Sequence, residues 1–164
     1  MPLVDFDALP DTARVWVFGA AAPIHGAAAD TLLRAVARHL AQWRAHGVPL
    51  VCASEWRDNQ FLIVAVDEAA TGASGCSIDG LFRELSAIES AVGTTLVGGG
   101  TVFWRDVNGV VQASDRPEFR AAAARGEIGG ETIVFDTTVT SLGEFRARFE
   151  REARAGWHAR LIAT

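Results

Sequence analysis

Apolar residues along the chain fall into two patterns: short continuous runs, and longer segments in which they recur every three or four positions. The run from Arg14 to Phe18 predicts a first strand, which ends at Gly19. The segment from Asp30 to His46 predicts a first helix, because one stripe collects its apolar residues, Leu32, Leu33, Val36, Leu40 and Trp43. Gly47 follows and stops the helix. The chain therefore opens with a predicted strand and a predicted helix.

Two further apolar runs lie close together and predict a hairpin. They are Leu50 to Arg57 and Gln60 to Val66, and the residues that join them, Asp58-Asn59, tolerate positive φ. The second run is apolar at every position from Phe61 to Val66, which is typical of a strand covered on both faces. We therefore expect this strand to lie in the centre of a sheet.

A second helix is predicted after a Gly/Ser-rich loop that runs from Thr71 to Gly75. Its apolar stripe ends at Gly93, and a fourth strand follows from Thr101 to Trp104. The order β-α-β-β-α-β is that of a ferredoxin-like split βαβ core, here over about residues 14–105. That plan places the first and third strands side by side, central and parallel. The sequence therefore predicts an α+β fold with a ferredoxin-like core.

The remaining residues, 106–164, predict a C-terminal extension of the core. Its predicted elements are a hairpin that includes Val110 to Ala113, a helix from Pro117 to Arg125, a strand from Thr132 to Phe135, and a helix from Ser141 to Ala155. No linker or repeat interrupts the chain, so we expect a single domain over residues 1–164. In it the extension packs on the core and covers the second face of the sheet. A dimer partner is the alternative cover.

Composition narrows the function classes. The chain has 164 residues, with 20 acidic and 15 basic side chains and a net charge of −5. All 15 basic residues are arginine, so a GxxxxGK[ST] P-loop, a Schiff-base enzyme and a pyridoxal-phosphate site are excluded. The acidic balance argues against nucleic acid, since affinity for polyanions comes largely from neutralised phosphates. The expected partner is a small anionic ligand or a protein.

The cysteines and the apolar runs give further expectations. Cys52 and Cys76 fit neither a disulfide framework nor the spacing of zinc ligands, and we expect no metal and no cofactor. The amino terminus lacks a basic region followed by an apolar run, and the longest apolar run is too short to cross a membrane. We therefore expect a soluble, cytoplasmic, bacterial-type protein without a membrane partner, either a monomer or a homodimer.

The most distinctive segment, Thr71 to Asp79, leads into the second helix. Its small residues let backbone N–H groups converge at a helix N-terminus, a place that binds anions and lowers the pKa of a nearby thiol. The candidate ligand-binding residues here are Gly72, Ser74, Gly75, Ser77 and Asp79, with Cys76 as a reactive or ligand-facing thiol. The alternative is that a serine caps the helix and the cysteine packs as a small hydrophobic residue.

A nucleophilic cysteine needs a base, and the candidate is His158, with Trp157 beside it as a further ligand-site residue. The first functional hypothesis is a binding or regulatory module whose site lies at the start of the second helix. The alternatives are a thiol-dependent enzyme, with Cys76 as nucleophile and His158 as base, and a structural or dimer-forming module.

Four segments stand out together: Ala-Arg-Val-Trp-Val (13–17), the apolar run with its acidic end (61–68), Gly-Ala-Ser-Gly-Cys-Ser-Ile-Asp (72–79) and Trp157-His158. In them the chain resembles a small family of uncharacterised bacterial proteins that often carry the label ABC transporter ATPase. The resemblance implies no established activity, and the absence of a Walker A lysine removes support for the label. The order of elements over 102–135 also resembles GYF-like modules, which bind proline-rich peptides, but the Gly-Tyr-Phe signature is missing.

Overall fold

The computed structural model describes residues 3–69 and 71–163. The α-helices in this part of the chain are α1 (Gly26–Ala41), α2 (Gly75–Val92), α3 (Arg116–Ala124), α4 (Leu142–Arg148) and α5 (Ala159–Ile162). The strands are β1 (Arg14–Gly19), β2 (Arg44–Ala45), β3 (Val48–Pro49), β4 (Val51–Arg57), β5 (Phe61–Asp67), β6 (Val102–Arg105), β7 (Val111–Ser114), β8 (Ile133–Phe135) and β9 (Glu150–Glu152). Short 3-10 helices span Phe6–Ala8 and Ala153–Ala155. The predicted α+β class is confirmed.

The chain divides into two compact units. The first unit contains the residues up to Val97 together with Val139–Ala147, and the second contains Gly98–Thr138 and the residues from Arg148 onward. The strand predicted to complete the core, here β6, therefore belongs to the second unit. The expectation of a single domain over residues 1–164 stays a prediction.

The sheet of the first unit has three strands in the order β1-β5-β4, and both pairings are antiparallel. The predicted hairpin is confirmed, because β4 pairs with β5 and the turn residues Asp58 and Asn59 have φ values of 55° and 53°. Every residue from Phe61 to Val66 is fully buried. The prediction that this strand lies in the centre of the sheet is therefore confirmed, and its apolar side chains serve the core on both faces.

The ferredoxin-like order is not confirmed. The first predicted strand, β1, lies at an edge and runs antiparallel to β5, whereas the ferredoxin-like plan requires these two strands to be parallel. The helix expected over 30–46 ends at Ala41, and residues 44–49 form the small β2–β3 hairpin instead. This additional reversal of the chain comes before β4, and β4 then enters the sheet in the same direction as β1.

Helices α1 and α2 pack on one face of this sheet. Their buried residues form one core with alternate residues of β5. This core contains Leu32, Val36 and Leu40 of α1, Leu81 and Leu85 of α2, and Leu62, Val64 and Val66 of β5. On the opposite face the guanidinium of Arg57 lies 4.8 Å from the ring centre of Phe145 in α4, and this ring meets Phe6 edge-on at 6.0 Å. The second helix ends where the sequence predicts, at Gly93, whose φ is 82°.

The second unit is built on a four-stranded antiparallel sheet in the order β7-β6-β8-β9. The predicted helix over 117–125 is confirmed as α3, and the strand over 132–135 as β8. The long helix predicted from Ser141 to Ala155 is wrong beyond Arg148, because Glu150–Glu152 pairs with β8 as strand β9. Phe149 continues the helical spacing in the sequence, but its ring packs on Phe135 with ring centres 5.5 Å apart.

Candidate functional site

The start of α2 is held by two serines. The Ser74 hydroxyl accepts a hydrogen bond from the Ser77 backbone N–H at 3.2 Å, and the Ser77 hydroxyl accepts one from the Ser74 N–H at 2.7 Å. This reciprocal pair is a capping box, with serine in the position that glutamate or glutamine more often occupies. The interpretation of Ser74 as a helix cap is therefore confirmed.

Two backbone donors remain uncommitted at this helix end. Among the described residues, no acceptor lies within hydrogen-bond distance of the Gly75 or Cys76 N–H, since these are the first two groups of the helix. Cys76 is exposed, so it does not pack in the core as its alternative interpretation required. The N-terminal end of α2 therefore presents free N–H groups and an accessible thiol.

The β2–β3 hairpin lies against this end of α2. Its turn residues, His46 and Gly47, have φ values of 52° and 78°, which a tight two-residue turn requires. The indole of Trp43, directly before the hairpin, is 3% exposed and donates a hydrogen bond to the Ser77 carbonyl oxygen at 2.8 Å. This buried bond fixes the hairpin to the first turn of α2. A side chain of the hairpin is therefore held beside the free N–H groups.

A cavity of about 720 Å³ lies between the hairpin and the helix, and we call it the α2 cleft. Its walls are formed by Arg44, His46, Ser74, Gly75, Cys76 and Ser77. Arg44 is exposed, and its guanidinium donates a hydrogen bond to the Gly47 carbonyl oxygen at 3.2 Å, while no carboxylate among the described residues pairs with it. The cleft thus combines a guanidinium, an imidazole, a thiol, hydroxyls and backbone N–H groups. The guanidinium and the free N–H groups can bind an oxyanion, whereas the hydroxyl protons of Ser74 and Ser77 are donated within the capping box. The Cys76 thiol is open to solvent.

Only some of the predicted site residues line this cleft. Four of them line it, while Gly72 and Asp79, which belong to the same unit, do not. The nearest atoms that a Cβ at Gly72 would meet belong to the exposed, flexible side chain of Glu68, which can move aside, so this contact does not require glycine at position 72. Two lining residues, Arg44 and His46, were missed. The signal that could have found them is the sequence His46-Gly47 followed by Pro49, which favours a turn rather than the end of a helix.

The other two predicted site residues, Trp157 and His158, belong to the second unit. His158 is fully buried there: its ring stacks on Trp157 at 3.7 Å and lies 6.1 Å from the ring of Phe119. Among the described residues neither ring nitrogen has a hydrogen-bond partner, and burial lowers the pKa of His158 to about 4. The surroundings of His158 are those of a neutral core histidine, and its service to Cys76 as a base stays a prediction.

The two cysteines differ in chemistry. Cys52 is fully buried on β4, its thiol lies 3.6 Å from the Leu40 carbonyl oxygen, and burial raises its pKa to about 11. Cys76 is exposed, and no disulfide joins the pair. Cys76 is therefore the cysteine that a reagent can reach in the folded protein.

Similarity to known proteins assigns no function to this chain. Neither a known protein family, nor a curated protein, nor a solved structure matches the chain. Within residues 3–69 and 71–163 no three His, Cys, Asp or Glu side chains are placed to hold a metal ion together. In the same ranges no helix has both the length and the apolar character needed to cross a membrane.

Proposed function

We propose that the first unit is a binding module that takes the carboxylate or phosphate group of a small ligand in the α2 cleft. The observation that carries this proposal is the arrangement of donors around one cavity. Gly75, Cys76 and Arg44 all line it, and among the described residues the backbone N–H groups of the first two are uncommitted. A helix N-terminus alone is a common feature, and the added cation is what makes this one a candidate anion site.

The electrostatics of the cleft favour an anion from both sides. Helix α2 has 18 residues, and its aligned peptide dipoles place a partial positive charge at the Gly75 end. Its first turn contains no acidic residue, so that charge is not already neutralised there. The opposite wall adds Arg44, which no carboxylate of the described chain pairs with. An incoming oxyanion would therefore meet positive potential on two walls.

The cleft is also held in shape before a ligand arrives. The Trp43 indole ties the hairpin to the Ser77 carbonyl, and the serine capping box fixes the first turn of α2. Pre-organised donors bind more tightly, because less conformational entropy is lost on binding. At about 720 Å³ the cleft has room for a small molecule that carries the anionic group.

The test is a titration of the full chain, labelled with ¹⁵N, with inorganic phosphate at constant ionic strength. We expect the amide resonances of Gly75 and Cys76 to shift and to saturate. Arg44→Gln removes one charge-assisted contact and should weaken binding by about tenfold. Arg34→Gln is the matched control, since Arg34 is an exposed arginine on α1 that lies outside the cleft.

Two results would contradict the proposal. One is a shift that grows linearly without saturation, which is the behaviour of nonspecific ion association. The other is an equal loss of affinity in Arg44→Gln and Arg34→Gln, because that pattern reflects net charge rather than a site.

A thiol-dependent reaction at Cys76 is the alternative function, and one observation favours it. The exposed thiol shares its cavity with the imidazole of His46, a general base of the right chemistry. Since Cys52 is buried, alkylation of the folded protein reports on Cys76 alone. A drop of about tenfold or more in the alkylation rate of His46→Gln favours the enzyme. Equal rates in the wild type and this variant favour the binding module.

The two cysteines also bear on where the protein is located. The free state of both cysteines supports a cytoplasmic location, where thiols stay reduced. Membership of the small bacterial family remains supported only by the sequence resemblance. A structural or dimer-forming role is the second alternative, and sedimentation equilibrium of the full chain tests it.

A further inference from the structure

The second unit contains a cavity whose walls are dominated by arginine. The cavity has a volume of about 320 Å³ and is lined by Arg116, Arg120, Thr138, Trp157, Arg160 and Leu161. Two of the arginines lie on α3 and one on α5, and all three are exposed. We call this cavity the arginine pocket.

The three arginines of the pocket have no carboxylate partner among the described residues. Elsewhere in the same unit arginines are paired: Arg105 with Glu150 at 2.7 Å, Arg125 with Glu118 at 2.9 Å, and Arg154 with Glu152 at 2.7 Å. The chain has an excess of acidic residues, with a net charge of −5, so carboxylates are not scarce. A group of three unpaired guanidiniums around one cavity therefore departs from the pattern of the rest of the unit.

The buried carboxylate of Asp136 holds two of the lining residues, Trp157 and Thr138, in place. Asp136 is 2% exposed, and it accepts hydrogen bonds from the Trp157 indole at 3.2 Å and the Thr138 hydroxyl at 2.5 Å. Its second oxygen lies 3.4 Å from the Arg151 guanidinium. Gly156 leaves room for that guanidinium, since a Cβ atom at Gly156 would stand 2.7 Å from it. Two lining residues, Trp157 and Thr138, thus have fixed positions before any ligand binds.

The charge around the pocket remains positive after Asp136 is counted. Burial alone would raise the pKa of Asp136, but hydrogen bonds from Thr138 and Trp157 and the charge of Arg151 outweigh burial and lower it. The carboxylate is therefore ionised at neutral pH, and Arg151 offsets its charge. At the walls, three guanidinium groups remain that pair with no carboxylate in residues 3–69 and 71–163.

The aromatic ring of the pocket is already engaged on its faces. Trp157 stacks on His158, with ring centres 3.7 Å apart, and Arg116 lies over the Trp157 ring at 5.4 Å. A planar base therefore has no free face on which to stack, and the indole serves to position a guanidinium. Since the Thr138 hydroxyl already donates its proton to Asp136, the recognition chemistry that remains is that of the guanidinium forks, which match the oxygens of a phosphoryl group.

We propose that the arginine pocket of the second unit is a binding site for a small phosphoryl-bearing ligand, separate from the α2 cleft. A carboxylate has two oxygens and fills one guanidinium fork, whereas a diphosphate offers enough oxygens for three. Arg116, Arg120 and Arg160 hold the phosphoryl oxygens in this site. Trp157 orients Arg116, and Asp136 with Arg151 keeps Trp157 in place.

The test uses the full chain and inorganic pyrophosphate at constant ionic strength, followed through the indole N–H resonance of Trp157. We expect a saturable shift of this resonance. Arg120→Gln and Arg160→Gln should each weaken binding by about tenfold or more, since each loses a charge-assisted contact. The matched control is Arg154→Gln, which removes an exposed arginine of the same unit outside the pocket and should bind like the wild type.

The outcomes separate this proposal from that for the α2 cleft. Arg44→Gln should leave the Trp157 shift unchanged, whether or not phosphate moves the Gly75 and Cys76 amides. A Trp157 resonance that does not respond, a shift without saturation, or a loss in Arg154→Gln equal to that in Arg120→Gln would each overturn the arginine pocket. The same titration is repeated with inorganic phosphate and with a phosphate monoester. Tighter binding of pyrophosphate than of phosphate supports recognition by all three guanidinium groups, and equal binding contradicts it.

Discussion

The two units offer anion-binding chemistry of different kinds. In the α2 cleft the donors are backbone N–H groups at a helix end, and one guanidinium, that of Arg44, is added by a neighbouring hairpin. In the arginine pocket the donors are three guanidiniums, and a buried carboxylate, Asp136, fixes the walls. The first arrangement is local in the sequence apart from the hairpin, whereas the second joins residues from 116 to 160.

This difference determines what each site depends on. A helix N-terminus keeps its donors as long as the helix itself is formed, so the α2 cleft is supported mainly by its caps and by the Trp43 hydrogen bond. The arginine pocket exists only when α3, α5 and the loop after β8 are packed together. We therefore expect the core of the second unit to be where substitutions have the largest consequences for its site.

The largest effect is expected from Phe119→Ala. Phe119 is fully buried, and its ring packs edge-on against Trp104 at 5.3 Å and lies 6.1 Å from His158. Removing the ring leaves a cavity under α3, and such truncations cost about 3–5 kcal/mol of folding free energy. Urea unfolding measures the loss, with Val107→Ala, at a residue 95% exposed, as a control that should change little. A loss for Phe119→Ala no larger than that of the control would contradict the packing described.

The next effect is a loss of stability on acidification, caused by His158. Burial lowers its pKa to about 4 from the ordinary 6.5, with a partly opposing influence of Asp136 and a further lowering by Arg151 and Arg116. In the unfolded chain the His158 side chain therefore takes up a proton below pH 6.5, while in the folded chain it stays neutral until about pH 4. Stability should fall as the pH falls through this window, by up to about 3 kcal/mol.

His158→Phe tests this assignment, because it keeps an aromatic ring in the site and removes the titration. Unfolding free energies from pH 7 to pH 4 should fall less steeply in the variant than in the wild type. His39 provides the comparison in the first unit: it is half-buried, burial lowers its pKa, and Glu84 opposes the shift. His39→Gln should reduce the dependence of the unfolding free energy on pH less than His158→Phe does. Equal slopes in the wild type and His158→Phe would rule out His158 as the cause.

The same comparison shows which parts of the molecule the sequence could predict. The central position of β5 follows from six consecutive apolar residues, and the turn before it follows from Asp58-Asn59. These features depend on near neighbours in the chain. The helix predicted from Ser141 to Ala155 is too long, because the spacing of Phe149 from Phe145 fits a helix. In the structure the residues after Phe149 pair with the free edge of β8 as a strand. Local spacing carries no information about such an edge.

The candidate sites divide in the same way. Ser74, Gly75, Cys76 and Ser77 were predicted from a single segment, and they do line one cleft. The sequence does not place Arg44 with them, because the apolar spacing predicts a helix through residues that form the β2–β3 hairpin. The arginine pocket gave no local signal, because its residues come together only through the tertiary fold. The sequence suggests His158 as a base for Cys76, whereas its full burial depends on packing that a single sequence does not reveal.

The smallest effects are expected at the caps of the two helices, where the units can be compared directly. Ser74→Ala removes the hydroxyl that accepts from the Ser77 N–H, and Asp115→Ala removes the carboxylate that accepts from the Glu118 N–H at 2.8 Å. Each should cost about 1 kcal/mol, the usual value for a lost N-cap. The aspartate should cost somewhat more, because its charge also interacts with the helix dipole, by about 0.3–1 kcal/mol.

Asp115→Asn separates the two contributions at the second helix, since asparagine caps as well as aspartate but carries no charge. Urea unfolding should place it between the wild type and Asp115→Ala, and added salt should bring it closer to the wild type because the dipole interaction is screened. If Asp115→Asn were as unstable as Asp115→Ala, the charge would account for the whole effect and the hydrogen bond for none. The caps of α2 and α3 would then differ in kind, with only the first stabilised by hydrogen bonding.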